Sequence, residues 1–189
     1  STGTKTAVAP ASYRTLAQQR FFAWRDDVRH DGSHVRVEPQ AFYYAGRLGL
    51  LASWVASRPT LARVSQARSQ RLTQKAWALA GHWVLTGEAA TYRGVVPARD
   101  FRWTGRDPGA VELAARWSEL AIDAAAFPNF ANPATSWRRA RTATVGLNWH
   151  LNAHVKAVLN FERTWFHGAT TRATRARGDA VLTRLQLRY

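Results

Sequence analysis

Apolar and polar residues alternate strictly in the segment "GAVELAARWSEL", residues 109–120. Val111 and Trp117 fall on one parity, and Glu112 and Arg116 fall on the other. Successive side chains of a β-strand point to opposite faces, so this pattern predicts a strand with one apolar and one polar face. The segment and the "AIDAAA" after it are also rich in Ala, Leu and Glu, which suits a helix. The strict alternation favours the strand.

The same period of two recurs along most of the chain. It gives about eight strand candidates, at residues 19–26, 34–45, 50–57, 75–86, 109–120, 142–151, 155–164 and 178–189. Short turns join several of them, as in "LNAH" before Val155, which is typical of antiparallel hairpins. The sequence therefore predicts an all-β, antiparallel fold.

The apolar faces of these strands carry aromatic residues near the strand ends. These residues are Trp54, Trp77, Trp83, Trp117, Trp149 and Tyr189. A soluble sandwich would pack such faces mainly with Val, Ile, Leu and Phe, but the chain has one Ile and no Met. Aromatic belts at both edges of an apolar band are typical of outer-membrane barrels. We therefore predict an antiparallel transmembrane β-barrel of the outer-membrane type, located in the cell outer membrane.

The opposite faces mix small, polar and charged side chains, as a water-filled lumen requires. The chain has 27 Lys+Arg against 12 Asp+Glu and a formal net charge of +15, which indicates an anionic partner. Arg suits an anion path best, because its planar fork binds phosphate oxygens in pairs and it keeps its charge. The candidates by parity are Arg36, Arg116, Lys156, Arg184 and Arg188. The alternative is that Glu38, Glu112 and Glu162 neutralise these cations in a wide lumen.

A second set of arginines falls in predicted loops. It consists of Arg138, Arg139, Arg141, Arg172, Arg175 and Arg177. We expect these residues to steer anions inward or to bind lipopolysaccharide phosphates, and the alternative is ordinary solvated loop charge.

Several kinds of chemistry find no support in the sequence. Cysteine is absent, and the six histidines lack the spacing of a metal site, so neither a metal nor a cofactor is expected. Glu112 and Glu119 fall on opposite strand faces, and there is no Gly-rich phosphate loop, so we expect no enzyme.

The ends and connections of the chain carry further expectations. Residues 1–18 are predicted to be a non-strand start, and 19–189 to be the strands of the barrel. The start without Met indicates a piece of a longer polypeptide. Short and long connections are expected to alternate along such a barrel. The connection 87–108 falls where a short turn is expected, yet it is the longest. It either hides strands or is an exception.

Five stretches together resemble the phosphate-selective porins of Gram-negative outer membranes, in the order of the C-terminal half of that family. They are "YYAGRLGLLASWVAS", "WVLTGEAATYRGVVP", "GAVELAARWSEL", "TVGLNWHLNAHVK" and "LTRLQLRY". The resemblance implies a sixteen-stranded trimeric barrel that passes phosphate and related anions, of which this chain would supply about half. Such a half would not insert alone, because its open edges would leave backbone groups unpaired in lipid. Ser53, His150 and Tyr189 depart from the family pattern.

Two other readings remain open from the residues alone. A basic β-sheet protein could bind nucleic acid by stacking bases on aromatic side chains, but that needs aromatics and cations on the same face, whereas here they lie mostly on opposite faces. We therefore expect no nucleic-acid partner. The chain could also close as a small eight-stranded barrel whose interior is filled by side chains, without a channel.

Overall fold

The computed structural model describes residues 1–168 and 177–188. This part of the chain is built from strands and two short 3-10 turns, at Val64–Gln66 and Ala124–Ala126. The strands are β1 (Thr2–Thr6), β2 (Tyr13–Arg14), β3 (Arg20–Phe22), β4 (Val28–Val37), β5 (Gln40–Ala45), β6 (Leu48–Arg63), β7 (Arg68–Arg71), β8 (Gln74–Val84), β9 (Ala110–Ala121), β10 (Arg139–His150), β11 (Val155–His167) and β12 (Arg177–Leu187). The all-β prediction is confirmed, and residues 109–120 form a strand and not a helix.

One antiparallel sheet organises the chain. Its strand order is β1-β4-β6-β8-β9-β10-β11-β12, with β5 and β7 also paired to β6. Eight strands form this path, and we call them the wall. The segment 34–45, predicted as one strand, is divided between the end of β4 and β5, which both pair with β6. No helix in the described part of the chain is long and apolar enough to cross a membrane.

The register gives the sheet two chemically different faces. Trp54 lies directly opposite Trp77, while the next residues, Val55 and Ala76, lie opposite each other on the other face. We call the face with the tryptophans the outer face and the opposite one the inner face. The outer face stays exposed across its middle, with Leu79 54%, Leu113 50% and Val145 53% exposed. Large apolar side chains without cover are what a lipid-facing surface presents.

Segments outside the wall fold against the inner face near both ends of the strands. At the first end, residues 13–24 and the connection 122–138 form a cluster around Phe22, Phe130 and Leu61, each 0% exposed. We call this the long-connection end, because the connections 64–73 and 122–138 lie there. At the other end, Val84, Ala90, Val95 and Ala110 form a smaller cluster. The apolar cores of this sheet therefore lie at the two ends of its inner side.

The segment 19–26 is not a strand of the main sheet, which corrects the prediction. Arg20–Phe22 pairs there with Tyr13–Arg14 in a separate two-stranded sheet, and Trp24 forms an isolated bridge with Ala131. The physical reason is that Phe21 and Phe22 are both buried, at 3% and 0% exposure. Two neighbouring buried rings fit a segment packed on several sides, whereas a wall strand alternates between its faces.

Among the eight strands of the path, the one outside the predicted set comes from the start of the chain. β1 pairs with β4, with Thr2 opposite Val35 and Thr6 opposite Asp31. The prediction that 1–18 contains no strand is therefore wrong. Its polar sequence "TGTKT" gave no apolar alternation from which to infer a strand.

The connection 85–109 contains no strand, so it is an exception among the turns at its end of the sheet. We call this the tight-turn end, since the turns at 46–47 and 151–154 are there. The connection folds inward, where the backbone N–H of Ala90 donates to the Gly46 carbonyl at 2.8 Å. The ring of Tyr92 meets that of Phe42 with 5.2 Å between centroids. Residues 85–109 thus narrow the inner side of the sheet.

Candidate anion path

Small side chains line the middle of the inner face. Ala76 and Ala78 on β8, Ser118 on β9, and Thr142 and Thr144 on β10 border a cavity of 290 Å³. Alternation along each strand directs these side chains to the inner face, and their small size leaves space beside the wall. Larger groups reach the same cavity from the segment folded inward at the long-connection end, which supplies Arg14, Leu16 and Phe21.

Arg116 is the wall cation at this cavity. It sits on β9 opposite Thr144, which in turn lies opposite Glu162 on β11. Two strand spacings, about 10 Å, therefore separate the Arg116 and Glu162 backbones. Among the residues that the structure describes, no carboxylate lies within ion-pair distance of the Arg116 guanidinium, so its charge is available to the cavity.

Glu162 is almost fully buried, with 2% of the residue exposed. The Thr164 hydroxyl donates to its Oε1 at 3.4 Å, and its Oε2 has no hydrogen-bond partner in the described part of the chain. Glu162 thus places negative charge in the wall near Arg116 without forming an ion pair with it.

Arg36 differs from Arg116 because it is neutralised. Its Nη2 lies 2.7 Å from Glu38 Oε2, and Gln40 donates to the other oxygen of Glu38 at 3.3 Å. Glu38 also borders the cavity. For this cation, the alternative of a paired lumen charge fits the geometry. Arg14 faces the same cavity from the folded-in segment, with its Nη1 donating to the Gln18 carbonyl at 3.3 Å.

A second polar group lies nearer the tight-turn end, around Glu112. Asn148 donates to Glu112 Oε1 at 2.5 Å. Two histidine rings approach Glu112 Oε2, with His82 Nδ1 at 3.3 Å and His150 Nε2 at 3.7 Å. Lys156 also interacts electrostatically with this carboxylate. Glu112 therefore accepts a hydrogen bond from Asn148, lies beside two histidine rings and partly compensates the charge of Lys156.

Arg188 and Lys156 border a smaller polar cavity of 150 Å³ with Arg93 from the connection 85–109. Arg184 lies on the inner face of β12, opposite Val158. In the described residues, neither Arg184 nor Arg188 has a carboxylate within ion-pair distance. The inner face thus collects the five basic residues chosen by parity, spread along the path from one end to the other.

The connection 85–109 is held in place by Glu88. The Thr86 hydroxyl donates to one carboxylate oxygen, and the Ala98 backbone N–H donates to the other at 3.2 Å. Burial raises the pKa of Glu88, but these hydrogen bonds outweigh it, and the pKa lies below its ordinary value.

The arginines predicted in loops occupy different positions. Arg138 precedes β10, but Arg139 and Arg141 lie within β10, and Arg177 is the first residue of β12, so the loop assignment of these three is corrected. Arg139 and Arg141 share the parity of Val145 and therefore lie on the outer face. Arg172 and Arg175 lie outside the described residues. Counting back in twos from Val145 would have given the face of Arg139 and Arg141.

The predicted aromatic residues form two rows on the outer face. Trp54, Trp77 and Trp117 lie toward the long-connection end, and Trp83 and Trp149 toward the tight-turn end. Trp77 and Trp83 are six residues apart on β8, a strand length of about 20 Å. That length approaches the apolar band of about 25 Å in outer-membrane barrels. Tyr189 lies outside the described residues.

Sequence reasoning missed Arg14 and Arg93, which come from segments folded against the wall. No periodic signal marks either residue, because their neighbours do not alternate. In the part of the chain that the structure describes, no group of three His, Asp or Glu side chains has the arrangement of a metal site. Glu112 and Glu119 lie on opposite faces of β9, so they do not form a carboxylate pair.

Comparison with known proteins agrees with this architecture. The family model for phosphate-selective porin O and P matches residues 3–189. A comparison with curated proteins found no match. The matched family consists of channels and is not a family of enzymes. The two-faced antiparallel sheet is the wall of a transmembrane β-barrel, and the chain belongs to the phosphate-selective porin O and P family.

Proposed function

We propose that the chain forms part of an outer-membrane channel through which phosphate or other small oxyanions pass by passive diffusion along a basic lumen. The observation that carries the proposal is Arg116, an inner-face cation without a carboxylate partner among the described residues. It faces the 290 Å³ cavity, which Arg14 also lines from the folded-in segment. Fixed positive charge along a narrowed aqueous path attracts anions, and several weak sites in succession let them leave.

The inner-face charges support a path with more positive than negative charge. Arg36, Arg116, Lys156, Arg184 and Arg188 stand against Glu38, Glu112 and Glu162, which is five cations against three anions. Arg36 is paired with Glu38, and Lys156 lies near Glu112, so Arg116, Arg184 and Arg188 carry the surplus. These three residues are the proposed wall contacts of the moving anion.

The outer face supports a membrane location. Its exposed apolar band between two rows of tryptophan suits the hydrocarbon core of a bilayer and its interfaces. The proposed surroundings are lipid and lipopolysaccharide of a Gram-negative outer membrane. The proposed trimer rests on the family resemblance alone.

Single-channel recording of the assembled porin in planar bilayers tests the proposal. One charge at about 4 Å from an anion in a water-like lumen contributes about 1 kcal/mol, so Arg116→Ala should weaken phosphate block of chloride current about fivefold. The effect should shrink at about 1 M salt, where charges are screened beyond about 3 Å. The matched control is Arg58→Ala, because Arg58 is exposed on the outer face. Equal behaviour of both variants, or a channel that does not prefer anions, would contradict the proposal.

A further inference from the structure

The outer face becomes charged beyond the row of tryptophans at the long-connection end. At the long-connection end, the strands β9 to β12 carry charged residues where the apolar band would otherwise continue. We call this group the outer cationic rim, and it consists of Arg139, Arg141, Arg163 and Arg177 with Glu119 and Asp179. All six share the outward parity of Trp117 and Val145.

Each carboxylate of the rim is shared by two arginines. Glu119 lies 3.3 Å from Arg139 Nε and 2.5 Å from Arg141 Nε. On the neighbouring strands, Arg163 donates to Asp179 at 2.8 Å and 3.0 Å, and Arg177 Nε lies 3.9 Å from the same carboxylate. Four cations against two anions leave a surplus of two positive charges. The carboxylates orient the guanidinium groups without neutralising them.

The rim lies at the level of the aromatic belt. Trp165 is directly opposite Arg141 on one side and Arg177 on the other. Its ring lies 5.6 Å from that of Trp117. Because Trp rings of barrels lie at the headgroup level, these guanidinium groups lie at the level of the lipid headgroups.

Donors of the rim remain accessible. The side chains of Arg139 and Arg141 are each 40% exposed, and that of Arg177 is 58% exposed. A guanidinium has five N–H donors, and Arg139 and Arg141 each direct Nε at Glu119, which leaves their terminal nitrogens for another acceptor.

We propose that the outer cationic rim binds the phosphate groups of anionic lipid headgroups in the leaflet at the long-connection end. This inference rests on the membrane location proposed above. Forked arginines fit phosphate oxygens in pairs, and the surplus positive charge complements a phosphorylated headgroup. The occupant is a lipid and not free phosphate, because the exposed apolar residues Val145, Phe161 and Val181 continue directly from the rim and offer a surface for its acyl chains.

Lipid binding by the assembled porin tests the proposal. The probe is bis-phosphorylated lipid A, compared with the same lipid after removal of its phosphates, with retained lipid counted by native mass spectrometry. The double variants Arg139→Gln/Arg141→Gln and Arg163→Gln/Arg177→Gln should each bind lipid A at least about tenfold more weakly, since hydrogen bonds to charged groups are lost. The dephosphorylated lipid should bind equally weakly to all forms. Arg184→Gln, on the inner face of β12, is the matched control and should bind like the wild type.

Each other result overturns the inference. Unchanged affinity of both double variants shows that the rim does not hold the phosphates, and displacement of lipid A by excess inorganic phosphate shows a site for the free ion. If the glutamine variants do not fold, Arg139→Lys/Arg141→Lys keeps the charge without the fork. Its affinity must still fall several-fold, and an unchanged affinity again refutes the proposal.

Channel recordings separate this inference from the proposed function. The rim variants should conduct and select anions like the wild type, whereas Arg116→Ala should not. If the rim variants lose lipid binding and the wild-type channel does not select anions, the proposed function alone is refuted. Normal anion selectivity with unchanged lipid binding would refute the rim alone.

Discussion

Ser136 ties the inward-folded segment 13–24 to the connection 122–138. It is 1% exposed, and its hydroxyl accepts from the Ala23 N–H at 3.2 Å and donates to the Ala23 carbonyl at 3.1 Å. Ser136→Ala removes both hydrogen bonds and leaves a partly buried donor and acceptor unpaired, at about 1–3 kcal/mol each. Even the lower sum of about 2 kcal/mol raises the detached population of the segment about 30-fold.

Hydrogen exchange of the assembled porin, followed by mass spectrometry on peptides covering 13–24, measures that population. Exchange there should become about 30-fold faster in Ser136→Ala, while β8 and β9 keep their protection. The channel should also show larger, noisier currents, because Arg14 leaves the cavity with its segment. The control is Ser118→Ala, since the Ser118 side chain makes no hydrogen bond with the described residues. Equal exchange in the two variants would refute the idea that Ser136 anchors the segment.

Two further predictions concern the tight-turn end. Gly109 has φ 71°, and a Cβ there would overlap the His150 carbonyl oxygen, whereas Gly46 has φ 55° with open space around it. Gly46→Ala should lower the stability in detergent by about 1–2 kcal/mol, the cost of left-handed backbone strain. Gly109→Ala should lower it by more, because of the added overlap, and equal unfolding midpoints of the two variants would contradict this. Because the pKa of Glu88 is lowered in the folded protein, the ionised Glu88 stabilises the connection 85–109 at a pH above the ordinary pKa of 4.5. This stability is lost as the pH falls below 4.5 and through the lowered pKa. Hydrogen exchange of 85–109 should rise in acid for the wild type but stay level in Glu88→Gln, and a parallel rise in both would exclude this role for Glu88.

The wall of this fold could be predicted from the sequence, because alternation is a property of each strand by itself. Val111, Glu112 and Arg116 lie on the faces that their parity indicated. β1 escaped prediction because both of its faces are polar or small. The face of Arg139 was available from the same parity but was hidden by the assumption that the strand begins later.

The inward-folded segments could not be predicted in this way. Phe21 and Phe22 are adjacent and both buried, so their segment obeys the packing around it and not the period of a sheet. Arg14 reaches the cavity because residues distant in sequence, such as Ser136 and Phe166, hold its segment in place. No local pattern encodes that contact. The wall positions of the candidate path were therefore predictable, but the residues that face them across the cavity were not.

The inner-face residues at positions such as Ala76, Ala78 and Ser118 are small, so the strands and the segments folded against them have different roles. The strands fix the width of the inner side, and the segments 13–24 and 85–109, which fold against it, determine how much of that space stays open. Grafting these segments from another family member onto the same strands should therefore transfer pore size, whereas the proposed contribution of Arg116, Arg184 and Arg188 to ion preference should stay with the strands.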